Sequence, residues 1–140
     1  MAAVQAACAE RRLRLTPARA CVLEALLESH RAMTAYELLQ RLQAAGLGSQ
    51  PPVVYRALDF LVGHGFVHRI ERLGAFAACA HGGEDHGAAF LVCRGCRRVA
   101  ETALRPPRGL AAGAAAAGFA IERLVVEAEG LCAACREGGA

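Results

Sequence analysis

The chain has no lysine and no tryptophan, and aromatic residues occupy only 5% of its 140 positions. Because large side chains are scarce, each half has little apolar volume for a core, and we expect a metal ion or a partner subunit to supplement it. All sixteen basic residues are arginines, which, with the heavy use of alanine and glycine, we attribute to coding bias. Hydrophobic residues still reach 55%, and that share excludes a disordered chain.

Long apolar segments are absent as well. The longest run, residues 110–121, consists mostly of alanine and glycine and is too short to span a bilayer. The first fifteen residues lack the apolar stretch of a signal peptide. We therefore expect a cytoplasmic protein without membrane association.

Charge is distributed unevenly along the chain. The formal net charge is +3, and residues 1–73 account for all of it, with nine arginines against six acidic residues. Residues 74–140 contain seven of each. The modest basic excess of the first half is compatible with a nucleic-acid partner but does not establish one.

Helix start and stop signals predict three helices in the first half, preceded by a weaker one over residues 3–12. Thr16 is a hydroxyl N-cap followed by proline at the first helical position. The tetrapeptide TAYE, residues 34–37, has the spacing of a capping box, and Gly46 would end its helix. The third helix follows the proline pair at 51–52.

Two short strands, at residues 66–70 and 75–79, are predicted after the third helix. Three helices followed by a hairpin are typical of a winged helix-turn-helix, in which the third helix enters the major groove of DNA. That helix would present Tyr55, Arg56 and Asp59 on its exposed face. A plain helical bundle with a solvated face is the alternative that the pattern leaves open.

Arginines could make two kinds of DNA contact in the winged-helix interpretation. Arg56 could bond a guanine edge in two places, which is worth about 1–3 kcal/mol of discrimination between bases. Contacts to phosphates position a protein without specifying sequence. For these we expect Arg11, Arg12, Arg14 and Arg19.

The second half predicts a small α+β unit. Strands are expected at residues 88–93, 98–102 and 119–130, with a helix over 106–118 before the last strand. The predicted fold class is therefore α+β, with an N-terminal winged helix-turn-helix followed by a small C-terminal α/β domain.

The strongest chemical signal is a pair of CxxC motifs in this second half. Two such knuckles present four thiolates to one ion and form a closed, structural zinc site, if the sheet brings them together. Two redox-active pairs are the alternative, but the thioredoxin-like βαβ context is absent. A zinc deaminase would need an H-x-E motif, which this chain lacks. The four cysteines are Cys93, Cys96, Cys132 and Cys135.

A second set of metal-ligating residues surrounds Cys79, which ends the predicted hairpin. His68 lies on the preceding strand, His86 in the following loop and Glu101 beyond the first CxxC motif. Together they could supply one sulfur, two nitrogen and one oxygen ligand, a set that suits tetrahedral zinc. Separate structural or surface roles for the same residues are the alternative.

Several stretches resemble the ferric uptake regulator family, most closely its zinc uptake regulator branch: LTPARACVLEALL, TAYELLQRL, PPVVYRALDFLVGHGFVHRIE and the two CxxC pairs. The likeness covers residues 13–135. It implies a homodimer whose chain has a winged-helix DNA-binding domain over residues 1–80, a hinge at 81–86 and an α/β dimerisation domain over 87–140.

The resemblance also implies two zinc ions per chain. The CxxC cysteines would hold a structural ion, and a regulatory ion would be held by His68, Cys79, His86 and Glu101. His81 competes with His86 for the third position, because both lie in the short loop after Cys79.

Base contacts are implied for Tyr36 and Arg56, with Tyr55 as a further candidate. The implied function is that of a zinc-responsive repressor of zinc uptake genes, with zinc as corepressor and a palindromic double-stranded operator, and not that of an enzyme. Iron, nickel or peroxide sensing on the same scaffold is the alternative, although a thiolate ligand favours Zn²⁺ over Fe²⁺ and Mn²⁺. A redox switch and a zinc-ribbon protein without DNA function are further alternatives.

Overall fold

The computed structural model describes residues 1–29, 31–80, 88–104, 107–122 and 124–138. The helices and strands follow along the chain in the order α1 (Ala2–Glu10), α2 (Pro17–Ser29), β1 (Met33–Thr34), α3 (Ala35–Ala44), α4 (Pro51–Gly63), β2 (Val67–Ile70), a 3₁₀ turn (Glu71–Leu73), β3 (Ala75–Ala78), β4 (Ala88–Cys93), β5 (Val99–Ala103), α5 (Arg108–Ala116), β6 (Val125–Gly130) and α6 (Ala133–Glu137). This mixture of helix and sheet confirms the predicted fold class. No helix in the described ranges has the length and apolarity needed to cross a membrane.

The ends of α3 and α4 follow from their capping residues. The Thr34 hydroxyl accepts the N–H of Glu37 at 3.3 Å, and the Glu37 carboxylate accepts the N–H of Thr34 at 2.7 Å, which completes the predicted capping box. Gly46 (φ 69°) follows α3 and Gly65 (φ 76°) follows α4. Both glycines adopt the left-handed conformation that turns the chain out of a helix.

The helices α1 to α4 pack around one apolar core together with an antiparallel sheet of order β1-β3-β2. On α4, Val54, Ala57, Leu58 and Leu61 are buried, and Val62 is partly buried. The strand β1 was not predicted, because two residues are too few to show the alternation that identifies a strand. The wing therefore has three strands rather than the two of a simple hairpin.

The C-terminal sheet has the order β5-β4-β6, with β5 antiparallel and β6 parallel to β4. Only residues 125–130 form β6, so the predicted strand over 119–130 was too long. The reason is the length of β4: its six residues pair with six residues of β6, from Ala88 with Val125 to Cys93 with Gly130. The short helix α6, which contains Cys135, was not predicted either.

A second apolar cluster joins the two halves of the chain. Ala32, Ile70 and Ala75 from the first half pack against Phe90 and Val92 of β4. The predicted hinge at residues 81–86 lies outside the described residues, and the domain boundaries stay predictions. The described contacts nevertheless place the wing directly on one face of the C-terminal sheet.

Candidate metal centres and DNA-facing surface

The four CxxC cysteines converge at one end of the C-terminal sheet. Their sulfur atoms all lie within 4.8 Å of one another. The end of β4 supplies Cys93 and the following turn supplies Cys96, while Cys132 and Cys135 lie at the start of α6. The knuckle is tight, since a Cβ atom on Gly95 would stand 3.1 Å from the Cys135 sulfur.

The ionisation of these thiols suits a bound cation. The backbone N–H of Cys132, which points at the Cys93 sulfur at 3.3 Å, and that of Cys96 lower the pKa of Cys93 to about 6. In contrast, the neighbouring sulfurs of Cys132, Cys93 and Cys96 raise the pKa of Cys135 to about 12. Four thiolates oppose one another's ionisation, and a divalent cation offsets that repulsion. The cluster therefore fits a four-thiolate zinc ion.

Three of the predicted regulatory ligands also converge. Donor atoms of His68, Cys79 and Glu101 lie within 4.8 Å of one another, although these residues belong to β2, the end of β3 and β5. Glu101 Oε1 is 3.7 Å from His68 Nε2 and 4.0 Å from Cys79 Sγ. The side chains of His68 and Glu101 are only 7% and 6% exposed.

This buried donor set fits zinc. Imidazole, thiolate and carboxylate are all common zinc ligands, and one thiolate with one carboxylate would neutralise a divalent charge. The other two predicted ligands, His86 and its competitor His81, lie outside the described residues. Their roles stay predictions.

The carboxylate of Glu101 is oriented by contacts around the group. Its Oε2 accepts the backbone N–H of Ala80 at 2.7 Å, which leaves Oε1 facing the histidine and the cysteine. The Phe90 ring packs beside the His68 ring with 4.9 Å between their centroids. Such neighbours fix the direction of ligand side chains before an ion binds.

Three of the predicted DNA-contacting residues lie near the starts of two helices, Tyr36 in the first turn of α3 and Tyr55 and Arg56 in the second turn of α4. Tyr36 on α3 is 70% exposed, Tyr55 on α4 is 52% exposed, and Arg56 beside it is exposed. Exposed tyrosine and arginine side chains can form hydrogen bonds with base edges and phosphates.

Arg19 has a packing role that the sequence did not predict. Its guanidinium carbon lies 3.6 Å from the centroid of the Phe60 ring, and Nη1 donates to the Arg14 carbonyl at 2.6 Å. The cation–π contact holds the side chain against α4. An arginine has five N–H donors, and the bond to the Arg14 carbonyl uses one of them.

Glu127 on β6 was not predicted as a functional residue. Its carboxylate accepts backbone N–H groups of Glu71 and Arg72 at the tip of the wing, at 2.7 and 3.0 Å. The alternation of the sequence VVEAEG places Glu127 and Glu129 on one face of the strand. The same pattern is typical of a solvent-exposed face. The sequence alone therefore could not identify Glu127 as a functional residue, because the pairing of β6 was not known.

A family model for the Ferric uptake regulator family matches residues 10–127. The chain is 40% identical to the "Zinc uptake regulation protein" of Escherichia coli (strain K12) over 139 residues, which cover 98% of this chain and 81% of that protein. A solved structure described as "Zinc Uptake Regulator Complexed With Zinc AND DNA" has a TM-score of 0.88 and 40% identity, covering 96% of this chain and 91% of that one.

Two solved structures of one other relative differ in their likeness to this chain. The holo form of XcZur has a TM-score of 0.83 at 43% identity, and its apo form has a TM-score of 0.52 at 41% identity. In both cases 96% of each chain is covered. The arrangement of the present chain is therefore much closer to the holo form.

Proposed function

The chain belongs to the ferric uptake regulator family, and we propose that it works as a zinc-responsive DNA-binding repressor controlling zinc uptake genes. One observation carries this proposal above all: His68 and Cys79 in the wing and Glu101 in the C-terminal sheet bring three zinc-type donors together across two units of the fold. We propose a regulator and not an enzyme, because the relatives that the chain matches are uptake regulators. Its place of action would be the cytoplasm.

The regulatory step depends on how these donors are distributed. Zinc bound to the group would supply a coordination link between the wing and the C-terminal sheet. His68 and Cys79 move with the wing, while Glu101 stays with the sheet, so the full donor set exists only when the two units adopt the described arrangement. A ligand that binds one arrangement better than another shifts the population toward it, and a nearly complete shift needs about 5.5 kcal/mol of differential affinity.

The difference between the apo and holo forms of XcZur supports this step, because the same chain adopts two arrangements. The present chain matches the holo form and a DNA-bound relative. We infer that the described arrangement is the one that is competent to bind DNA. It would place α4 where it can enter the major groove.

Zinc is favoured over other metals by the sulfur of Cys79. Fe²⁺ and Mn²⁺ prefer nitrogen and oxygen ligands, whereas a thiolate selects softer ions. His86 would complete a tetrahedral set, with His81 as the alternative. The four-cysteine cluster would hold a second, structural zinc, giving two ions per chain.

A homodimer is supported by the apolar surface of the C-terminal unit. The helix α5 has no buried residue, and both Leu91 and Phe119 point large side chains outward, at 52% and 75% exposed. Exposed apolar patches of this kind mark protein interfaces. A two-fold dimer would present two copies of α4 to half-sites about 34–36 Å apart, which implies a palindromic operator.

On that operator we assign base contacts to Tyr36, Tyr55 and Arg56, and a phosphate contact to Arg19. Replacing Arg56 should relax specificity for a guanine, with a cost of about 1–3 kcal/mol. Replacing Arg19 should weaken binding to all sequences alike and lower the salt dependence.

The decisive experiment is fluorescence anisotropy with double-stranded DNA enriched from a random pool by the zinc-loaded protein. Free zinc is titrated with wild type, Cys79→Ser and Cys21→Ser, a control that changes a cysteine of α2 outside both metal clusters. We expect zinc-dependent binding by wild type and Cys21→Ser and its loss in Cys79→Ser. A wild type that binds regardless of zinc, or a Cys79→Ser variant that titrates like wild type, would overturn the proposal.

Metal analysis provides an independent measurement. The saturated protein should contain two zinc ions per chain, and mild chelation should leave one. Cys79→Ser should retain the ion that resists chelation. A saturated wild type with only one ion per chain would contradict the regulatory site.

A further inference from the structure

Three residues form a row across the C-terminal sheet, on the face that the wing covers. Phe90 on the central strand β4 pairs with Glu101 on β5 and with Glu127 on β6. Directly paired residues of neighbouring strands point to the same face. The sheet therefore presents one phenyl ring to the wing, with a carboxylate on either side of it.

The two carboxylates hold opposite ends of the wing hairpin. Glu101 accepts the N–H of Ala80, just beyond β3. Glu127 accepts two consecutive N–H groups, those of Glu71 at 2.7 Å and Arg72 at 3.0 Å, in the 3₁₀ turn that joins β2 to β3. Between these ends, Ile70 and Ala75 of the hairpin pack against Phe90.

The contact at the hairpin tip is chemically well matched. The first N–H groups of a helical turn have no partner within the turn, and their dipoles favour a negative charge. Hydrogen bonds to a carboxylate are shorter and stronger than those between neutral groups. An ion pair adds to the contact, since Arg72 Nη2 lies 3.0 Å from the Glu129 carboxylate on the same strand β6.

We propose that Glu127 is a positioning residue that holds the tip of the wing on the C-terminal sheet without contacting metal, and thereby sets how much zinc the regulator needs. The inference rests on the proposed function of the His68–Cys79–Glu101 group. The hydrogen bond at Ala80 fixes one end of the hairpin, and the packing on Phe90 is non-directional, whereas the hydrogen bonds from Glu127 also fix the position of the tip. The donors of the wing are then held close to Glu101 before an ion arrives.

The energetic consequence follows from linkage. If Glu127 favours the arrangement in which the donors converge, that arrangement is more populated before zinc binds. The apparent affinity of the protein for zinc then rises in proportion to that population. Removing the carboxylate should therefore weaken zinc binding although every metal ligand is still present. The four-cysteine cluster lies at another end of the sheet and should not respond.

The test measures zinc affinity on the folded protein with its four-cysteine zinc in place, by competition with a chromophoric chelator. Variants are Glu127→Ala, Glu127→Gln and, as a matched control, Glu122→Ala, an exposed glutamate before β6. We expect Glu127→Ala to weaken the second zinc by roughly fivefold to fiftyfold. Glu127→Gln, which keeps one acceptor oxygen, should fall between it and wild type, and Glu122→Ala should match wild type.

A second readout requires no regulatory zinc. In protein depleted of that ion, the amide protons of Glu71 and Arg72 should exchange faster in Glu127→Ala than in wild type. An affinity within twofold of wild type in Glu127→Ala would overturn the inference, as would an unchanged exchange rate at both amides. If Glu127→Ala does not fold, the same criteria apply to Glu127→Gln.

The outcome is separable from that of the proposed function. DNA binding that ignores zinc in wild type would refute the repressor mechanism, while the chelator and exchange measurements would still decide the role of Glu127. Conversely, a zinc-dependent wild type with a Glu127→Ala variant of equal zinc affinity would refute only the positioning role.

Discussion

The helical N-terminal unit and the C-terminal sheet bury very different amounts of apolar side chain. In the first, a single cluster of sixteen buried residues runs from Val4 to Phe76. In the described part of the second, every buried hydrophobic residue belongs to β4, namely Ala89, Phe90, Val92 and Cys93. The first unit has a core of its own, whereas the second depends on what it binds.

The two faces of β4 show which parts of the molecule cover the C-terminal sheet. Phe90 and Val92 are covered by the wing, and Leu91 points outward on the opposite face. The thiolate cluster closes one end of the same sheet. A metal ion, the wing and a partner subunit would therefore each replace part of the core that this unit lacks.

The strongest test of this difference between the two units is to remove one thiolate of the CxxC cluster. Cys132→Ala should unfold the C-terminal unit while α1 to α4 stay folded, because structural zinc contributes about 10–16 kcal/mol in small zinc-binding domains. Limited proteolysis and amide resonances of the two units measure this directly. Cys21→Ala is the matched control and should leave the C-terminal unit intact. Persistence of native C-terminal resonances in Cys132→Ala would show that the unit has enough core without metal.

A second test compares the apolar cores directly by truncating one leucine in each unit. Leu58→Ala opens a cavity in the helical core, where Leu58 is fully buried, and should cost about 2–5 kcal/mol of unfolding free energy. Leu110→Ala, on the exposed helix α5, should change the stability of the single subunit by less than about 0.5 kcal/mol. Urea unfolding followed by helical circular dichroism measures both. Equal losses would mean that the two units do not differ in the way described.

An element could be predicted from the sequence where its signal lies within a short stretch of chain. Helices α2 to α4 carry their own periodicity and caps, such as Thr34 with Glu37, so local patterns were sufficient to predict them. The strand β4 is a short apolar run between turn signals and was predicted with its bounds. The convergence of the cysteines was also predicted, because CxxC spacing encodes a knuckle.

The elements that the sequence did not predict depend on distant pairing. The strand β1 exists because two residues pair with β3, and β6 begins at Val125 because that residue meets the first residue of β4. Glu127 has the same explanation, since a carboxylate on a strand resembles a solvated face until its register is known. Tertiary pairing, and not local propensity, decides these cases.

A smaller effect is expected for the outward face of the C-terminal sheet. Leu91→Ala should weaken association of the proposed homodimer by more than about 1 kcal/mol, because fully burying a leucine side chain is worth about 1.5–3 kcal/mol. Sedimentation across a dilution series measures the dimer constant. Tyr36→Ala, which removes another exposed large side chain, on α3 of the helical unit, should not change it. An unchanged dimer constant in Leu91→Ala would move the interface elsewhere.

The smallest effect is expected for Glu37, which caps the N-terminus of α3 in the helical unit. The backbone N–H of Thr34 is the largest of several contacts, with Arg31 among them, that lower the pKa of Glu37 below its usual 4.5. A carboxyl with a lowered folded pKa stabilises the protein above its unfolded pKa, and this contribution is lost as pH falls from 4.5 through the folded value.

Glu37→Gln should therefore cost about 0.3–1 kcal/mol at neutral pH, since the amide keeps the capping acceptor but loses the charge at the helix N-terminus. Urea unfolding of wild type and variant at pH 7 and below pH 4.5 should show that difference shrinking with acid. A loss of unfolding free energy in Glu37→Gln as large as that in Leu58→Ala would contradict this account of the helical unit. It would mean that polar contacts at a helix end, and not the apolar core, dominate the stability of that unit.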